Sequence, residues 1–222
     1  MDSRTVGGSV TALWMQQIGP EASAGELVVS EQERAWAAGL TASRRQQYLA
    51  SRGWMRSCLA ALHAADPLQV PLNAPPGAPP RLLDPWGYVS LSHCADACLM
   101  GWSQQPIGVD LERADRKLRA AAALMRRFFT ETEQRELTAL EGDQLRQQVL
   151  DRWLVKEAAI KWQRGSLAQD LCCWEVSSSF CGALHRGLNL KVAAQLRSQG
   201  DWRFGVVVAE QTFLKDCLLC SA

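Results

Sequence analysis

Residues 110–112 read DLE and residues 156–161 read KEAAIK. Together these two stretches hold the residue types from which phosphoryl chemistry is assembled. In PIGVDLERADR (106–116) the side chains alternate as in a strand. Ile107, Val109 and Leu111 point one way, and Gly108, Asp110 and Glu112 the other. Two carboxylates so spaced lie about 6–7 Å apart along the strand. Like charges that close call for a cation between them, and a hard divalent ion such as Mg²⁺ or Mn²⁺ takes oxygen ligands. Gly108 on the same face leaves room for a ligand to approach the backbone. Alone, the pair also describes a solvated strand face with Arg113 and Arg116 as neighbours.

The second stretch lies in RWLVKEAAIKW (152–162), apolar apart from its charges. A residue in a helix steps by about 100°, so Glu157 and Lys161 share a face as an i, i+4 pair. Lys156 projects away from them, and no clean polar stripe exists. An ion pair at the edge of a core helix explains Glu157 with Lys161 but leaves Lys156 unexplained. A site explains all three: Glu157 adds a third carboxylate to Asp110 and Glu112, and the two lysines face a polyanion such as a pyrophosphate. A third stretch, SLSHC (90–94), puts Ser90, Ser92 and Cys94 on one strand face, with Leu91 and His93 on the other. Ser92 and His93 can bind phosphate by hydroxyl and imidazole N–H, although a lone histidine is more often structural.

These residues need elements to hold them. The 222 residues suffice for one large domain or two small ones. A formal net charge of +1 gives no field favouring nucleic acid or a membrane. The apolar runs are too short to span a bilayer. No basic, then apolar leader opens the chain, so the eight cysteines are expected reduced in a cytoplasmic protein. Cys217 and Cys220 form a CxxC without a second ligand pair, a weak metal or redox signal. A strand is expected over 10–17, a helix over 31–39 behind a Ser30–Glu33 capping box, and a longer helix over 42–65. A proline-rich loop (67–81) leads to strands at 88–93, 97–103 and 107–112, whose short links suggest an antiparallel meander. Then come a Thr130–Glu133 capping box and a long helix that Asp143 can cap, running to about Gln163 with Gly165 beyond it. Strands at 173–178, 188–196 and 202–209 follow. Helix then strands, twice over, predicts an α+β fold of two similar halves related by a pseudo-two-fold. Each half is a long helix packed on a small antiparallel sheet, 1–105 and 106–222, with the active site in the cleft between them.

The set SRRQQYLASRGWMR, SLSH, IGVDLE, RRFFTETE and WLVKEAAIK, in this order, resembles 4'-phosphopantetheinyl transferases of the surfactin-synthetase-activating (Sfp) type. The resemblance covers most of the chain. It implies a Mg²⁺- or Mn²⁺-dependent enzyme that moves the phosphopantetheine arm of coenzyme A to a serine of an apo acyl or peptidyl carrier protein, releasing 3',5'-ADP. It implies Asp110, Glu112 and Glu157 as metal ligands, and Glu157 as acceptor of the serine proton, directly or through a water. Lys161 is implied at the coenzyme A phosphates and the leaving group. Lys156, Ser92 and His93 are implied as further phosphate contacts, Arg52 and Arg44 at the 3'-phosphate, and Glu133 as a support. Departures are Ser90 for the usual Asn, Cys94 after His93, and Gly77-Ala78-Pro79 for Gly-Lys-Pro, where Arg81 could supply the missing cation. The doubled architecture implies a monomer, with Arg164 or Arg186 meeting an acidic carrier. A non-catalytic coenzyme A or carrier binder and a metal-dependent phosphodiesterase are the alternatives.

Overall fold

The computed structural model describes residues 11–18, 28–118, 120–209 and the backbone of 217–220. The fold is α+β. Strands β1 (Thr11–Gln17), β4 (Tyr88–His93), β5 (Ala97–Ser103) and β11 (Cys217–Cys220) form one sheet in the order β11-β1-β5-β4. It is antiparallel except that β11 runs parallel to β1. The second sheet is antiparallel and has the order β6-β10-β9-β8-β7. Its strands are β6 (Ile107–Arg113), β7 (Trp174–Val176), β8 (Gly182–His185), β9 (Leu190–Gln199) and β10 (Trp202–Ala209). A small hairpin of β2 (Leu72–Asn73) and β3 (Arg81–Leu82) sits in the proline-rich stretch. The helices are α1 (Glu31–Ala38), α2 (Ala42–His63), α3 (Ala121–Phe128), α4 (Glu131–Leu137), α5 (Gly142–Gln163) and the short α6 (Leu167–Asp170). Among the described residues no helix is long and apolar enough to cross a membrane.

Strand alternation sorts the apolar residues into layers. Ala12 and Trp14 of β1, with Met100 and Trp102 of β5, meet Trp54, Met55 and Leu59 of α2. Leu13 and Leu99 point the other way and pack on Val109, Leu111, Phe204 and Val206 of the second sheet. The outer face of that sheet takes Val155, Ala158 and Ala159 of α5. The sheets are thus packed face to face with a long helix on each outer side. Two glycines let α5 lie close: a Cβ on Gly108 would stand 1.9 Å from the Ala158 carbonyl oxygen, and one on Gly205 3.0 Å from that of Leu154. The room at Gly108 is therefore filled by α5, not by a ligand as its place on the carboxylate face had suggested.

The meander is also corrected. β4 and β5 form the expected hairpin, but β6 does not continue it. β5 pairs along its whole length with β1, so β6 crosses to the second sheet and pairs with β10. The residues that join β5 to β6 link two sheets rather than two neighbours in one. The long second helix starts at Gly142, and its N-cap, Glu141, makes no side-chain cap bond. Asp143, expected as the cap, instead pairs with Arg146. Helix α3 was not anticipated. The CxxC side chains lie outside the described residues.

One device occurs twice. Ser30 and Glu33 form a capping box on α1, and Glu33 receives the buried Arg56 of α2 at 2.8 Å. Thr130 and Glu133 do the same on α4, and Glu133 receives Lys156 of α5 at 2.8 Å. α2 and α5 are each 22 residues long.

Candidate active site

Asp110 lies on the outer face of β6, which is the free edge of the second sheet. β4 is the edge of the first, and the two edges meet. The Oγ of Ser90 accepts the Val109 amide at 3.1 Å, and that of Ser92 the Leu111 amide at 3.2 Å. Above this seam runs the last turn of α5. Lys161 Nζ reaches across to Asp110 Oδ1 at 2.6 Å and donates to Ser92 Oγ at 2.9 Å, while Ser92 donates to the same Asp110 oxygen at 2.7 Å. Residues from three elements, far apart in sequence, so form one closed triangle. Its bonds involve ionised groups, which makes them stronger than neutral ones.

Glu112 and Glu157 flank the triangle. Glu112 is held by Arg116. Burial raises its pKa, opposed by the Arg116 charge. Glu157 accepts the Trp153 indole N–H at 2.5 Å. Burial, and then repulsion from Asp110, push it up to about 7. The negative fields of both Asp110 and Glu112 are felt at Glu157, and a divalent cation would relieve that repulsion. Carboxylate oxygens are the donors Mg²⁺ and Mn²⁺ prefer, so the donor set fits such an ion in its chemistry. In the arrangement seen, each carboxylate is answered by a group of the chain itself. Among the described residues no three such side chains stand gathered as a metal cluster.

A cavity of about 530 Å³ opens beside the triangle. Its wall comes from α2, the loop 76–80, β4 and the end of α5. The cations Arg44, Arg52, Lys161 and Arg164 line it together with His93, and its lining contains no carboxylate. Arg52 is nearly buried, its guanidinium 4.5 Å from the Tyr48 ring centroid and its Nε donating to the Ala74 carbonyl at 3.0 Å. Burial lowers its pKa. Burial, then the charges of Lys161 and Arg52, also depress His93, which keeps it a neutral imidazole. An acid-free wall of cations suits a polyanion. Of the expected phosphate contacts, Arg44, Arg52, His93 and Lys161 come together here.

Two expected contacts do not. Lys156 is 0 % exposed. Its Nζ pairs with Glu133 and donates to the carbonyls of Leu171 and Trp174. Burial pulls its pKa down, against the pull of Glu133. It is a buried tie between α4, α5 and β7, with no access to the cavity. Ser92 is also shut in, at 5 % exposure, with its hydroxyl committed to the triangle. Arg164 lines the cavity, and Arg186, exposed at the surface, pairs with Glu175 at 2.5 Å. Tyr48 seats Arg52, its i, i+4 neighbour on one helix face, a role that its helical spacing in the sequence did not assign.

No match to a curated protein reaches significance. Residues 106–207, from the turn before β6 into β10 and including Asp110, Glu112, Glu157 and Lys161, match the family model described as the 4'-phosphopantetheinyl transferase superfamily.

Proposed function

We propose that the protein is an Sfp-type enzyme that transfers the 4'-phosphopantetheine arm of coenzyme A to a serine of an apo acyl or peptidyl carrier protein, and that it does so as a monomer. The observation that carries this reading is the Asp110–Ser92–Lys161 triangle on the edge of an acid-free, cation-lined cavity. Arg44, Arg52 and His93 would hold the phosphates of coenzyme A. The carrier serine oxygen attacks the β-phosphorus, and the bond from that phosphorus to the oxygen of the ADP portion breaks. The serine proton passes to the Glu157 carboxylate, and 3',5'-ADP departs. Lys161 stands where charge builds on the leaving oxygen. Asp110, Glu112 and Glu157 would hold Mg²⁺ or Mn²⁺, which when bound neutralises pyrophosphate charge.

The test is direct. The protein is mixed with coenzyme A, Mg²⁺ and an apo carrier, and the carrier is weighed by mass spectrometry. Gain of one phosphopantetheine is expected. Unchanged masses across acyl and peptidyl carriers would overturn the assignment.

A further inference from the structure

We propose that Ser92 is a positioning residue, one that locks Lys161 and Asp110 to each other and to the strand bearing the carboxylates, and that it does not touch the bound phosphates. A serine hydroxyl has one proton to give and two lone pairs to receive with. In Ser92 all three are spent: the proton on Asp110 Oδ1 at 2.7 Å, the lone pairs on the Leu111 amide at 3.2 Å and on Lys161 Nζ at 2.9 Å. Nothing remains for a ligand oxygen. Of the six residues of β4, Tyr88, Val89, Ser90, Leu91 and His93 line the cavity, whereas Ser92 is not part of its lining.

The seam explains why a hydroxyl is needed there. β6 pairs with β10 on one side only. On its other side the amides of Val109 and Leu111, residues 0 % and 1 % exposed, lie between the sheets without a strand carbonyl to receive them. A buried N–H left unpaired is costly. Ser90 and Ser92 supply the acceptors. A hydroxyl can do this and still carry a proton for Asp110, which a backbone carbonyl cannot. Ser92 thus joins the sheets and sets the place of the lysine in one atom, whereas Ser90 makes the seam bond without reaching Lys161.

Ser92→Ala, Ser92→Thr and Ser90→Ala separate these roles. The kinetic arm rests on the transferase reading, and the other two arms do not. Removing the Ser92 hydroxyl should lower kcat about 10- to 100-fold while the KM for coenzyme A stays within about twofold. Ser92→Thr, which keeps the hydroxyl, should recover most of the loss, and Ser90→Ala should lose far less. Amide hydrogen exchange at Leu111 should quicken in Ser92→Ala but not in Ser90→Ala, and the NMR signal of Lys161 Nζ should shift. A rise of about tenfold in KM or Kd for coenzyme A with kcat retained would make Ser92 a ligand contact and overturn the proposal. Equal losses of kcat in the two alanine variants, or unchanged exchange at Leu111, would also overturn it. Should the wild-type protein transfer nothing, the transferase reading fails, and Leu111 exchange and the Lys161 signal still decide the role of Ser92.

Discussion

Lys156 and Lys161 share one helix and are held in opposite ways. Lys161 has a side chain 30 % exposed and an ammonium that spans the seam between the sheets. Lys156 is sealed in, paired with Glu133 and surrounded by carbonyls. Methionine at each position keeps the stem and removes the charge. Lys156→Met strands the Glu133 carboxylate in the core, and breaking a buried pair from one side costs about 3–5 kcal/mol. A large drop in melting temperature is expected, readable by thermal denaturation. Lys161→Met should fold as the wild type does and lose about 10²–10³ in kcat, the usual loss for one charge-stabilising donor. A stable Lys156→Met protein with weakened coenzyme A binding would return Lys156 to the cavity. The sequence made Lys161 and Asp110 legible because strand alternation and helix spacing are local rules. The burial of Lys156 depends on a carboxylate from another helix. The clue was nonetheless present: a capping-box glutamate precedes Arg56 of the first half by 23 residues, and Glu133 precedes Lys156 by the same interval.

At the scale of elements, the site depends on how closely α5 approaches the second sheet. Gly108 and Gly205 allow that approach, and Lys161 spans the gap because of it. Gly108→Ala would place a methyl 1.9 Å from the Ala158 carbonyl oxygen. Backbone cannot swing aside as a side chain does, so the cost should reach about 3 kcal/mol, the upper end of overpacking, and α5 would lift Lys161 from Asp110. Gly39→Ala is the contrasting case. Its φ is −80° and nothing lies within 4 Å of the added methyl, so stability should hold or rise by about 0.4–1 kcal/mol. Chemical denaturation of both variants checks the pair, and equal stabilities would refute the role given to Gly108. The two long helices and most strands were readable because their apolar periodicity is local. The partner of β6 was not. Short links made a meander the economical reading, and only the pairing of β1 with β5, some 85 residues further along the chain, closes that edge.

At the scale of the whole molecule, the carboxylates and the lysine of the proposed chemistry all come from residues after 105. Aligning the two 22-residue helices end to end sets Ser57 and Ala61 opposite Glu157 and Lys161. Aligning the seven-residue strands β1 and β6 sets Trp14 and Gln16 opposite Asp110 and Glu112. α2, β4 and the loop 76–80 line the cavity as a wall, and the site is only as rigid as the joint between the sheets. Beyond the serine seam, that joint is held at Asp96, in the turn between β4 and β5. Asp96 accepts the Trp202 indole N–H at 3.0 Å and pairs with Arg113 at 2.7 Å, both from the second sheet. The bond from Trp202, then that from Arg113, hold its carboxyl below the usual carboxylate range. A group whose pKa is depressed on folding adds stability above its unfolded pKa of about 3.9 and loses it as the pH falls through the folded value. Asp96→Asn should accordingly lower the melting temperature at pH 7 by about 2–4 °C, a modest loss because the pair is partly exposed. The difference from wild type should shrink as the pH drops below 4 and vanish once Asp96 is protonated in both states. A difference that stays constant from pH 7 to pH 3 would show that the carboxylate charge plays no part in joining the sheets.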